Sequence, residues 1–296
     1  MFIRTKLKTI SLLAAAIVAV FAANVTQAQS SSPTPTPSPT PKESEVKKLQ
    51  TDIEDVFRIR KKGTSNTQTA DFGYVGVLNI GYGYGNYSRA EGFRSSDTGT
   101  LIIDFAATDK IGFDLQIDTI NGNKVAGFPR SNGFGDVRLT SQLDVLDESK
   151  DAPSFAVSYF IKFPTGSAAK GLGSGRFDQK FATLFSKTVK GTAIDFNAAL
   201  LVNGEPGENG YVTGGEFSAS VSRDLSKKFN LLGEVYGETK DSDQPKGWFA
   251  SGVGTYQLNK KTSLNFSVIV GLTPNSPRYG GTFGITFTLG NLYKNK

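Results

Sequence analysis

The sequence predicts an all-β fold: a single antiparallel up-and-down transmembrane β-barrel of about twelve strands, preceded by a short N-terminal helix. Three observations carry that expectation. Apolar and polar residues alternate in about twelve stretches between Phe72 and Leu289. Short and long connections alternate between those stretches. The chain opens with the marks of a secretory signal.

The alternation is clearest in Ile111-Gly112-Phe113-Asp114-Leu115-Gln116-Ile117-Asp118, where each odd position is large and apolar and each even one is Gly, Asp or Gln. Successive side chains of a strand point to opposite faces, so one face is oily and the other wet. Val137, Leu139, Leu143 and Val145 oppose Asp136, Arg138, Gln142 and Asp144 in the same manner, and Leu264, Phe266, Val268 and Val270 oppose Ser263, Asn265 and Ser267. A soluble sandwich would also alternate. Its wet face, however, meets bulk solvent and favours Lys and Glu, whereas here that face is mostly Gly, Ser, Thr, Asn and Asp, as suits a crowded lumen.

Tight connections fall at residues 108–110, 147–152, 188–191, 226–228 and 259–261, each carrying a Lys. Longer ones, rich in Gly and Pro, fall at residues 88–97, 121–133, 164–175, 204–210, 240–246 and 273–278. Twelve strands with both ends on one side require five turns there and six loops opposite, which this pattern supplies. That side is expected to be the periplasm, placing both termini there. Aromatic residues such as Tyr74, Tyr82, Tyr84, Trp248 and Tyr256 fit interfacial girdles, although aromatics are also simply good strand formers.

Domain organisation follows from composition. Residues 1–28 read as a signal peptide, with Arg4, Lys6 and Lys8 before an apolar run and Thr26-Gln27-Ala28 at its end. Residues 29–42 form a Pro/Thr/Ser-rich spacer. Residues 43–62 form a short amphipathic helix with Val46, Leu49, Ile53 and Val56 at heptad spacing, either a solvated helix or a small coiled coil through which copies self-associate. The barrel occupies residues 70–290, and 291–296 form a tail.

Removing the signal takes three of the 33 basic residues and none of the 27 acidic ones, leaving +3 (30 − 27). That mild balance argues against nucleic acid as a partner and leaves outer-membrane lipid and a small-molecule solute. With no Cys and no His, the chain has no lipidation cysteine, no disulfide, no imidazole base and no thiolate nucleophile, so neither an enzyme nor a cofactor site is expected. Neither Gly81-Tyr82-Gly83-Tyr84-Gly85, which lies within a strand, nor Gly171 to Gly175 has the context of a nucleotide-binding loop. The first reads instead as a lumen-facing glycine stripe.

Function is therefore sought in the lumen. Its expected lining is Asp104, Asp114, Gln116, Asp118, Asp136, Arg138, Asp144, Lys162, Asp178, Lys180, Asp195, Glu216, Glu234 and Glu238, with Gln142, Asn197 and Arg223 beside them. Phe160, Leu232, Tyr236 and Phe249 are the apolar candidates. Acids outnumber bases, which favours cations and neutral solutes over anions in an open pore. Facing carboxylates such as Asp114, Asp118, Asp136 and Asp144 could form an acid dyad, but salt-bridge partnership with Arg138 is the commoner arrangement. Twelve strands are intermediate between a filled barrel and an aqueous channel, so a narrow or partly plugged pore is expected.

The runs Gly133-Phe134-Gly135-Asp136-Val137-Arg138-Leu139, Lys162-Phe163-Pro164-Thr165-Gly166 and Gly171-Leu172-Gly173-Ser174-Gly175, with Asp178 and Gly233 to Glu238, resemble the outer-membrane barrels of the phenol-degradation meta-pathway transporter family. The resemblance covers about residues 70–290. It implies an outer-membrane channel or transporter passing small molecules, hydrophobic or aromatic compounds among them. At its end the sequence departs from such barrels, since Gly290 to Lys296 follows the last aromatic strand. The alternative is a non-conducting structural or adhesive barrel acting through its outer loops, for example 121–133 with Lys124, Phe128 and Arg130, or through its N-terminal arm.

Overall fold

The structure, a computed structural model, describes residues 66–73, 75–88, 93–125, 127, 129–205, 210–239, 247–274 and 276–293. The expected signal, spacer and amphipathic helix, with the self-association assigned to residues 43–62, lie outside the described residues. All strands belong to the unit Pro39–Lys296.

Thirteen strands follow in chain order: β1 Val77–Ser88, β2 Phe93–Ala106, β3 Ile111–Val125, β4 Ser131–Gly133, β5 Val137–Leu146, β6 Ser154–Phe163, β7 Asp178–Val189, β8 Thr192–Gly204, β9 Tyr211–Ser226, β10 Phe229–Glu238, β11 Trp248–Asn259, β12 Thr262–Gly271 and β13 Tyr279–Asn291. Twelve of them form a closed antiparallel ring, in which β1 pairs with β2 on one side and β13 on the other and β2–β3 completes the circuit. The thirteenth, β4, is three residues long and pairs only with Asn121–Asn123 of β3. Closure leaves no sheet edge, which is the condition for crossing hydrocarbon with strands. The ring strands are 10 to 16 residues long, enough for the roughly 9–11 that a tilted transmembrane strand needs.

One rim carries short turns and the other long loops, in the expected alternation. Lys190-Gly191 joins β7 to β8 as a two-residue turn with φ of 50° and 79°, the doubly left-handed geometry that matches strand twist. Two expected boundaries shift. Residues 88–97 and 121–133 shrink as loops because β2 continues from Phe93 and β3 to Val125, with Asp97 opposite Gly122 and Ser96 opposite Asn123. Backbone pairing needs no apolar side chain, so a polar stretch extends the hairpin beyond the rim. There Asp97 pairs with Arg130, and Arg130 Nε donates to Asn132 Oδ1 at 2.8 Å.

The start of the barrel also shifts, from residue 70 to Val77. Residues 66–72 lie inside the ring, and Gly73 (φ 107°) and Gly76 (φ 78°) turn the chain from the interior into β1. At the other end Tyr293 folds along the short-turn rim, its ring edge-on to Phe105 at 6.1 Å and its hydroxyl donating to Ala107 O at 2.9 Å.

Candidate functional site: the barrel interior

Strand parity decides which side chains enter the interior. On β3, Ile111 and Phe113 are 39% and 40% exposed while Asp114, Gln116 and Asp118 are 7%, 1% and 0% exposed. Asp136, Arg138, Asp144, Lys162, Asp178, Lys180, Asp195, Glu216 and Glu234 are likewise buried, as are Gln142, Asn197, Phe160, Leu232, Tyr236 and Phe249. Asp104 and Glu238 are half-buried. Arg223 is exposed, contrary to expectation: Glu216, Ser218, Ser220 and Ser222 set the inward parity of β9, and Arg223 is on the other face near the short-turn rim. Tyr82 and Tyr84 point outward from the middle of β1, not from its ends.

Isolated charges removed from water are costly, and several on β3 to β9 are paired. Arg138 bonds Asp118, which also accepts from Thr100 Oγ1 at 2.8 Å. Lys162 bonds Asp178, donates to Ser174 Oγ at 2.9 Å and lies 3.4 Å from Asp136. Lys180 donates to Glu216 at 2.8 Å and stands 5.7 Å from the centre of the Phe160 ring. The result is a belt of ion pairs that joins β3, β5, β6, β7 and β9 and spans six neighbouring strands. Asp118 and Asp136 each stand beside a cation of this belt, Arg138 and Lys162 respectively.

Part of that belt anchors the long connection between β6 and β7. Asp136 Oδ1 accepts from Gly166 N at 2.7 Å, Lys162 Nζ donates to Ser174 Oγ at 2.9 Å, and Asn121 Nδ2 donates to Leu172 O at 3.2 Å. Leu172 is 2% exposed, so the loop folds into the mouth of the ring. The sequence runs 133–139, 162–166 and 171–175, separate in the chain, thus meet at one place.

The segment Asn66–Phe72 was not legible as an interior element. It has neither strand nor helix periodicity, and side chains of the wall hold its backbone in place of a regular ladder. Asn66 N and Thr67 N donate to the Glu234 carboxylate at 2.9 Å, and Gln68 exchanges two bonds with the Asn197 amide at 2.6 and 2.8 Å. Ala70 N donates to Ser186 Oγ at 2.8 Å, and Gln142 Nε2 donates to Thr69 O at 3.2 Å. Ala70 packs with Ala156, Ala182 and Leu184, where small alanines leave it room. Its anchors therefore lie on β5, β7, β8 and β10.

The remaining wall is built from small residues. Gly81, Gly83 and Gly85 of β1 are buried on the inward face, where the sequence places its glycine stripe. Ser263, Asn265 and Ser267 of β12 and Thr282, Thr286 and Thr288 of β13 share that side. A vestibule of about 890 Å³ opens beside the segment, bordered by seven acids (Asp71, Asp104, Asp109, Asp144, Asp147, Glu148 and Asp195) and two lysines (Lys187 and Lys260). A smaller cavity of about 160 Å³ lies against β1, β2 and β11–β13 and shares Asn79, Asp104 and Thr288 with the vestibule. Toward the long-loop rim Tyr87, Tyr236, Phe249 and Ile269 cluster, with the Tyr236 and Phe249 rings stacked at 5.1 Å.

A closed ring with an apolar outside and a charged, partly hollow inside defines the class: an outer-membrane-type β-barrel. The chain belongs to the family described as "Putative MetA-pathway of phenol degradation", whose model matches residues 48–289. Among solved structures it is similar to the COG4313 outer membrane channel from Pseudomonas putida F1, with a TM-score of 0.60 and 13% identity over 74% of this chain and 98% of that one. It is also similar to the NanC porin, with a TM-score of 0.51 and 9% identity over 72% of this chain and all of that one. No curated protein matches.

Proposed function

We propose that this protein is an outer-membrane channel that passes small molecules, with the short-turn rim and both termini on the periplasmic side. The observation that carries the reading is the hollow, acid-rich vestibule inside a closed ring: seven carboxylates against two lysines draw cations and neutral solutes and repel anions. Of the lining assigned from sequence, Asp104, Asp144 and Asp195 border that path and act as its electrostatic wall. Passage of hydrophobic or aromatic compounds is the finer reading, supported by the stacked Tyr236 and Phe249 inside the ring and by the family's description. A non-conducting barrel is a second reading, favoured by the segment 66–72 that lies across the interior.

Planar-bilayer recording of the refolded chain separates the two readings. The channel reading expects discrete conductance steps, with reversal potentials that favour cations and move toward zero in an Asp144→Asn, Asp195→Asn variant. A heat-modifiable, fully folded barrel that stays silent at every salt concentration supports the non-conducting reading instead.

A further inference from the structure

The interior is strongly uneven, and that unevenness locates a path. On β3 to β10 the inward face carries the charged side chains, among them Asp118, Arg138, Lys162, Lys180, Glu216 and Glu234, set between serines and alanines and tied to each other or to residues 66–72. On β11 to β13, β1 and β2 the inward residues are mostly glycines, serines, threonines and short amides, and the 160 Å³ cavity lies against them, with Ile102, Asp104, Gln257 and Lys261 also on its border. The segment's anchors, Gln142, Ser186, Asn197 and Glu234, are all on the first group of strands. In the ring order, β7 and β8 stand diametrically opposite the β1–β13 junction.

One group in the cavity has an unmet valence. Asn265 is 2% exposed and lines the cavity; its Nδ2 donates to Thr286 Oγ1 at 3.1 Å, but its Oδ1 has no hydrogen-bond partner among the described residues. A buried carbonyl oxygen without a donor is unfavourable, and a donor on a passing molecule would relieve it. Around it stand the hydroxyls of Ser263, Thr286 and Thr288 and the amide of Asn79.

We infer that solute crosses along an eccentric lane against the β11–β13–β1–β2 wall, and that Asn265 Oδ1 is a binding position in it for a small, uncharged solute bearing O–H or N–H donors, such as a polyol or an amide. The inference rests on the channel reading and adds the route, the solute chemistry and the recognising atom. From the vestibule, the lane begins at Asn79, Asp104 and Thr288. It ends under the Tyr87, Tyr236, Phe249 and Ile269 cluster, where Tyr87 is fully buried against Gly280 and forms the barrier toward the long-loop rim.

Because the chain has no cysteine, single cysteines report on the lane cleanly. Thr286→Cys places a thiol in it, and Ser218→Cys places one behind the segment, next to Asn197. In proteoliposomes, a small polar thiol reagent should label Cys at 286 at least about tenfold faster than Cys at 218, the latter needing local opening to react. In bilayers the same reagent should block conductance of the 286 variant and leave that of the 218 variant intact. Asn265→Leu should lower the glycerol swelling rate relative to small-cation conductance. Equal labelling rates, or faster labelling at 218, overturn the lane; unchanged glycerol selectivity in Asn265→Leu overturns the recognition. A silent parent removes the channel reading and the crossing with it, whereas a conducting parent that labels equally at both positions removes the lane alone, so the two failures are distinguishable.

Discussion

Glu234 is the strongest hold on the interior segment, and its removal has a calculable effect. Its carboxylate accepts the backbone N–H groups of Asn66 and Thr67 and the Ser251 hydroxyl, the last at 2.7 Å. Hydrogen bonds to a charged group contribute about 1.5–3 kcal/mol each, and two sharing an acceptor are not additive, so Glu234→Ala should weaken the hold by about 3 kcal/mol. That corresponds to a rise of about a hundredfold in the released fraction. The neutral bonds to Asn197 and Ser186, at about 1 kcal/mol each, remain and keep the segment mostly docked. The assay is thiol labelling of Asn66→Cys, whose side-chain Oδ1 makes no hydrogen bond in the parent, with and without Glu234→Ala. Labelling should accelerate by that factor while heat-modifiable migration stays unchanged, because no ladder hydrogen bond involves the Glu234 side chain. Equal labelling rates would refute the clamp, and a barrel that unfolds would show that Glu234 supports the wall instead.

Lys162→Met leaves Asp136 and Asp178 buried without their shared cation and should destabilise the barrel by about 3–5 kcal/mol, seen as a lower temperature of heat modification. Phe249→Ala removes half of an aromatic stack from the Tyr87 cluster; a stability loss of about 3–5 kcal/mol should accompany higher conductance, measured in the same bilayer assay. At the short-turn rim, Glu148 is held below its ordinary value of 4.5, first by the Thr188 backbone N–H, then by Lys187, so its contribution is present above that value and lost as pH falls through the lowered one. Lys110 is held above 10.5, chiefly by its 2.5 Å bond to Asp147, so its contribution is present below that value and lost as pH rises through the raised one. Limited proteolysis of residues 147–152 should therefore be slowest between these limits and faster once the pH falls through the lowered Glu148 value.

Much of the architecture was legible because strand parity is a local property. Each of Ile111 to Asp118 reports its face through its neighbour alone, and the Lys-bearing turns mark one rim in the same way. Arg223 shows where the rule fails: polarity implies the interior only inside the hydrocarbon band, and near the rim an outward Arg already meets water or headgroups. Pairing partners within the interior were not legible. The meeting of Asp136, Lys162 and Asp178 depends on register across three strands, and the seat of Asn66 depends on a carboxylate 168 residues away. Nothing in the composition of 66–72 distinguishes a docked segment from a linker, because its bonds use backbone groups that every residue has.

The position of that segment bears on how the chain can be assembled. The ring is closed by strands from opposite ends of the sequence, from Leu78 against Gly290 to Ser88 against Tyr279. Anything inside a ring must either be threaded through it afterwards or be present when the last seam forms. Residues 66–72 rest on the wall facing that seam, bound to strands already joined to their neighbours in a growing sheet. They can settle on an open, curved sheet and remain clear of the two edges as these meet, so that the finished barrel is born with its interior already furnished.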